Sequence, residues 1–190
     1  MTTHLALDTV SRQSDWDQGI SFEDFLGVAE QNCDLWTNAY RRAVVPEDLV
    51  ERVEAAPGHW QLLVLSADWC GDASNSIPPL AAFAREATNV DLRVLDRDEY
   101  LELMDEHLTN GRARSIPVVI VLDGSGVERG WWGPRPADLQ AWFEGAEAQA
   151  LEKEARYREL RKWYARDKGR AVIAEVVAII EQAGGAEAVA

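Results

Sequence analysis

Cys70 stands where a thiol can do chemistry, at the end of one predicted element and the start of another. The run before it, Gln61-Leu62-Leu63-Val64-Leu65-Ser66, is short, apolar and bounded by polar residues, as expected of a strand buried on both faces. After Asp68-Trp69-Cys70-Gly71-Asp72-Ala73, the residues Ile77, Leu80, Ala81, Ala84 and Ala87 fall on one face of a helix. A thiol at such a strand-to-helix turn faces unpaired backbone N–H groups and the positive end of the helix dipole, and both favour thiolate over thiol. That placement can move a thiol pKa from about 8.5 into roughly the 3.5 to 7.5 range. Asp72 opposes the shift, because a neighbouring carboxylate disfavours a second negative charge. The sequence thus predicts an exposed Cys70 thiol with a modestly lowered pKa.

Few other side chains compete for a chemical role. Cys33 is the second of only two cysteines and is expected as a small buried hydrophobe, unless the segment carrying it folds over Cys70 and makes it a partner. Arg112, Arg114 and Arg135 could hold a carboxylate-bearing small thiol or another anion through bidentate contacts, with Arg114 the best placed. His59 and His107 lack any metal-type spacing, and no metal site is predicted.

The elements that must position Cys70 follow from the spacing of apolar residues. Residues 1–58 read as a helical extension: Ser21 caps a helix carrying Phe22, Phe25, Leu26 and Ala29, and a second helix after Pro46 presents Leu49, Val50 and Val53. The stretch from Asn32 to Arg42 has no clean period. Residues 59–145 form the central domain. Beyond the first strand and its helix come a strand at Val90–Asp96, a helix around Glu99–His107, and a hairpin from Val118 to Trp132 turning at Asp123-Gly124-Ser125-Gly126. Residues 146–190 are a C-terminal helical extension. Helices fill Pro136 to about Asp167, and a last apolar face at Val172, Ile173, Val176, Val177 and Ile180 stops at Gly184-Gly185. This order gives an α/β unit with a central mixed sheet flanked by helices.

Composition narrows the function classes. A net charge of -14 argues against nucleic acid as a partner, since phosphate-backbone binders concentrate basic residues. No apolar run approaches the ~20 residues that span a bilayer, so no membrane association is expected. Two cysteines are too few for a disulfide framework and suit a reducing, cytoplasmic setting for an acidic protein.

Trp69-Cys70-Gly71, Pro78 eight residues after the cysteine, and Ile116-Pro117 just before a strand together resemble the thioredoxin superfamily. The wording is similar in finer detail to a little-characterised bacterial thioredoxin-like group with Trp-Cys-Gly-Asp followed by Cys or Ala. Segments such as Asp96-Arg97-Asp98-Glu99, Arg114-Ser115-Ile116-Pro117 and Trp132-Gly133-Pro134-Arg135-Pro136 carry that likeness. The resemblance implies a thioredoxin-like fold, a cis-proline at Pro117, and a substrate groove formed by Trp69, Gly71, Asp72, Ala73, Arg114, Ile116 and Pro117 around a catalytic Cys70. Two departures stand out: Ala73 replaces the resolving cysteine, and Val64 occupies the position of a buried acid. The losses agree physically, because without a second thiol to deprotonate that acid is only an unpaired buried charge.

The expected function is single-cysteine thiol-disulfide exchange on a protein disulfide or small thiol. It would need no cofactor beyond an external low-molecular-weight thiol to release the mixed disulfide. The alternatives are a non-catalytic binding module that has kept the groove, or a redox-regulated thiol. Trp131 and Trp132 are expected to pack beneath the C-terminal helices.

Overall fold

The computed structural model describes residues 3–5 and 10–187. Strand β1 (Thr3–Leu5) is followed by helix α1 (Gln13–Gln18), strand β2 (Ile20–Ser21), and helices α2 (Phe22–Val28), α3 (Cys33–Arg41) and α4 (Glu47–Ala55). The central unit runs β3 (Trp60–Ser66), α5 (Gly71–Glu86), β4 (Val90–Asp96), α6 (Leu101–Glu106), β5 (Val118–Asp123) and β6 (Glu128–Trp132). Four helices close the chain: α7 (Ala137–Glu144), α8 (Ala146–Gln149), α9 (Lys153–Asp167) and α10 (Arg170–Glu187).

The six strands form one mixed sheet in the order β1-β6-β5-β3-β4-β2. Strand β3 lies inside it, parallel to β4 and antiparallel to β5, with Leu65 opposite both Leu95 and Val118. Six of its seven residues are buried, which explains why its sequence is a continuous apolar run and not an alternation. The α/β thioredoxin-like architecture that the sequence implies is therefore present.

Three local expectations are corrected. The N-terminal stretch is not purely helical: β1 pairs with β6 and β2 with β4, so it supplies both edges of the sheet. Short terminal strands there satisfy the open backbone groups of an otherwise bare edge. The aperiodic stretch from Asn32 is helix α3, whose Trp36 is fully buried with its ring 4.9 Å from that of Phe25. Finally, α10 does not stop at Gly184-Gly185 but continues through them. A side chain at Gly184 would crowd Pro57 and Trp60, at 3.1 and 3.5 Å, so this glycine allows close packing and does not terminate the helix.

The main core draws on all three stretches of the chain: Trp36 and Val53 from the first, Leu62 to Leu65, Phe83 and Ile120 from the centre, and Val172, Val176 and Ile180 from α10. A separate small cluster joins α7 to α9 through Leu139, Leu160 and Tyr164.

Candidate functional site

Strand β3 ends at Ser66, and Cys70 caps the helix that follows. Its backbone is extended (φ -80°, ψ 117°), and its Sγ accepts the N–H of Ala73 at 3.5 Å, as a serine oxygen would at an ordinary helix start. The thiol in turn donates to the carbonyl of Ile116, also at 3.5 Å. The Ile116–Pro117 peptide bond is cis. Gly133, at φ 146°, presses on this loop from the end of β6, and a Cβ there would lie 2.2 Å from the Pro117 carbonyl oxygen.

The sulfur is not the exposed, ionised group expected from its position. Cys70 is only 7% exposed. Burial pushes its thiol pKa above the ordinary cysteine value, and the charge of Asp72 adds to this; the Ala73 N–H and the Arg135 charge act the other way without prevailing. The helix start does favour thiolate, but desolvation is the larger effect.

Asp72 is engaged. Arg135 grips it with two nitrogens, Nε to Oδ1 at 3.0 Å and Nη2 to Oδ2 at 2.5 Å, and Tyr164 donates its hydroxyl to Oδ1 at 2.9 Å. Arg135 also donates to Gln140 at 2.9 Å and lies 4.1 Å from the ring centre of Phe143. Burial, and then the Asp72 charge, raise the Tyr164 pKa well above the usual phenol value, so it remains a donor. This buried network ties α7 and α9 to the first turn of α5.

The remaining residues fall into two groups. Trp69 is 45% exposed, with the Arg97 guanidinium 5.9 Å from its ring centre, and Gly71 is exposed. Ala73 is fully buried and offers only its N–H. Ile116 and Pro117 are buried beside the sulfur. Arg114 is exposed and held by Asp105 in a bidentate pair, with both contacts at 2.6 Å, and Arg112 is exposed on the same loop. Neither lines the cleft described below.

Cys33 is exposed, not buried as expected, and donates to the Ala29 carbonyl at 3.1 Å. The segment around it does dock beside the thiol. The Asp68 carboxylate accepts the N–H groups of Glu30 and Gln31, both at 2.8 Å, and the Asp68 carbonyl accepts Trp36 Nε1 at 2.9 Å.

A cleft of about 290 Å³ borders Cys70. Leu35 of α3 and Trp69 contribute to it, as do Tyr157, Leu160 and Arg161 of α9. Sequence reasoning missed this α9 wall. The only available signal was the spacing Tyr157, Leu160, Arg161 and Tyr164, one face of a helix inside an otherwise charged stretch. Trp132 is fully buried and donates to Glu175 of α10 at 2.6 Å, while Trp131 packs edge-on against His107. No described helix is long and apolar enough to cross a membrane.

A family model described as Thioredoxin matches residues 19–165. A crystal structure of a protein of unknown function from Pseudomonas aeruginosa is similar to this chain with a TM-score of 0.74 and 24% identity, covering 92% of this chain and 99% of that one. A crystal structure of an HIV epitope-scaffold is similar with a TM-score of 0.71 and 22% identity, covering 91% of this chain and 99% of that one. No curated protein matches the chain.

Proposed function

Because this chain belongs to the thioredoxin family, we propose that it carries out single-cysteine thiol-disulfide exchange through Cys70. The position of the sulfur supports this reading, 3.5 Å from the carbonyl of the residue that precedes Pro117 and bordering an open cleft. In the exchange, Cys70–SH and R–S–S–R′ become Cys70–S–S–R and R′–SH, the thiol proton leaving with the departing sulfur. A second thiol R″–SH then attacks the mixed disulfide, releasing R–S–S–R″ and restoring Cys70–SH. With Ala73 beside it, the turn offers no second sulfur, so R″–SH comes from solution, as a reducing cytoplasm supplies. Trp69 and Gly71 flank the incoming disulfide, and Ile116 and Pro117 orient it. The finer likeness to the bacterial Trp-Cys-Gly-Asp-(Cys/Ala) group belongs with this reading.

A neutral, buried thiol attacks slowly, and this favours a second reading in which the groove binds a partner without covalent chemistry or in which oxidation of Cys70 is a signal. The two readings separate on protein purified from cells without reductant. A disulfide-linked adduct on Cys70, seen by mass spectrometry and lost on reduction, supports exchange. A bare thiol, together with partner capture that Cys70→Ser leaves intact, assigns the binding module.

A further inference from the structure

Helix α9 reverses the charge balance of the molecule. The whole chain carries -14, yet Lys153–Asp167 contains six basic and three acidic side chains, so a strongly basic helix, the only one among the described residues, is laid against the cleft that holds the thiol. Of its six cations, the side chains of Lys162, Arg156 and Arg166 have partners, and neither Lys153 nor Arg158 lines the cleft. Lys162 pairs with Glu159 at 2.8 Å, and Arg156 donates to Gln149 at 3.0 Å while lying 5.1 Å from the ring centre of Phe143.

Arg161 differs. It shares a helix face with Tyr157, Leu160 and Tyr164, it lines the cleft, and it has no ion pair or hydrogen bond among the described residues. The one acid that lines the cleft among the described residues, Asp72, is already paired with Arg135 and accepts the Tyr164 hydroxyl. The thiol itself is uncharged. The cleft that Cys70 borders therefore carries one positive charge, the exposed Arg161 guanidinium, alongside the apolar side chains of Leu35, Trp69, Tyr157 and Leu160. Repulsion from the acidic remainder is screened over about 8 Å at physiological salt, so the nearest charge dominates inside the cleft.

We infer that the substrate class of Cys70 is a small disulfide or thiol carrying a carboxylate, which Arg161 recognises. This rests on the exchange reading above. The cleft volume of about 290 Å³ lies at the small end of the range for ligand sites and suits a molecule of a few residues' size, not a folded chain. Arg161 supplies a planar two-nitrogen fork for a carboxylate. Tyr157 and Leu160 cover the aliphatic part of the molecule.

The test uses the full chain with Cys33→Ser, so that Cys70 is the sole thiol, and three probes: glutathione disulfide (anionic), hydroxyethyl disulfide (neutral) and cystamine (cationic). The rate of mixed-disulfide formation on Cys70 is followed by intact mass spectrometry. Each rate is divided by that of the same probe with the urea-unfolded chain, which removes the probe's own reactivity. The expected order is anionic over neutral over cationic, with about tenfold between the extremes. Arg161→Gln should remove that preference, Arg161→Lys should restore part of it, and Arg158→Gln, the same charge change on a neighbouring face of α9, should leave it in place. Equal normalised rates for the three probes, or equal effects of Arg158→Gln and Arg161→Gln, would overturn the carboxylate assignment while leaving Cys70 reactive. Absence of any adduct on the folded protein would remove the exchange reading and this inference together.

Discussion

The hydroxyl of Tyr164 donates to the carboxylate of Asp72 across 2.9 Å, joining two residues 92 positions apart. One end of this contact lies in the turn that carries Cys70 and the other in the helix that walls its cleft. The contact thus links α9, which shares a small apolar cluster with α7, to the turn that carries the sulfur.

Tyr164→Phe removes the hydrogen bond and keeps the ring. A bond to a charged acceptor contributes about 1.5–3 kcal/mol, so urea denaturation should show a loss in that range. Iodoacetamide should also reach Cys70 about tenfold to a hundredfold faster, one factor of ten for each ~1.4 kcal/mol by which the covered state is weakened. A variant that loses stability with no change in Cys70 labelling would show that α9 does not govern access.

Asp72→Ala is a harsher change, because it removes the carboxylate that the Arg135 guanidinium, whose side chain is 12% exposed, holds in a bidentate pair. Breaking a buried pair from one side costs about 3–5 kcal/mol. Exchanging Asp72 and Arg135 together for apolar residues should cost less than the single change, and a double-mutant cycle by denaturation measures the difference. Equal costs would mean that the pair is solvated in solution.

Glu128 is buried between Arg12, whose Nε donates to it at 2.9 Å, and His107, whose Nε2 lies 3.0 Å away. Burial alone would raise the carboxyl pKa, but the hydrogen bonds and charges of His107 and Arg12 together outweigh it and hold the group below its usual value. A lowered native pKa stabilises the fold above the unfolded value of about 4.3, and this is lost as pH falls through the native one. The stability difference between the native sequence and Glu128→Gln should therefore shrink between about pH 5 and pH 3. Denaturation midpoints across that range check it, and a constant difference would contradict it.

How much of this could be read beforehand depends on how local each cause is. Strand β3, helix α5 and the β5–β6 hairpin have one packing environment along their length, so their apolar spacing reveals them. Helix α3 packs its Trp36 on α2 while its other face stays wet, and its short, mixed sequence hides the period. The place of Cys70 was legible because helix capping is a matter of neighbouring residues. Its protonation was not, because the burial that decides it involves side chains far along the chain. Asp72 likewise gave no sign of being held by Arg135, 63 residues away.

Gly133 tests how tightly the Pro117 loop is fixed. Its φ of 146° is rarely reached by other residues, and an added Cβ would collide with backbone that cannot rotate aside. Gly133→Ala should cost more than about 2 kcal/mol, since strained backbone and overpacking each add roughly 1–3 kcal/mol. Gly71→Ala, exposed and with no atom within 4 Å of the new methyl, is the matched control and should be nearly neutral in denaturation experiments.

The thiol itself gives the most direct measurement. A native pKa raised by burial and by Asp72 means that the folded chain holds the Cys70 proton more tightly than the unfolded chain does. The stability this brings is fully present below the unfolded value of about 8.5 and is lost as pH rises through the native one. In the Cys33→Ser background, the iodoacetamide rate at Cys70 should climb about tenfold per pH unit up to pH 9 without levelling, because alkylation follows the thiolate fraction. The urea-unfolded chain should level near the free-cysteine value. Over the same range, the stability of the native sequence should fall relative to Cys70→Ala. A folded-state plateau below pH 8 would mean that the helix start outweighs burial, and that Cys70 is the activated thiol its position in the sequence suggests.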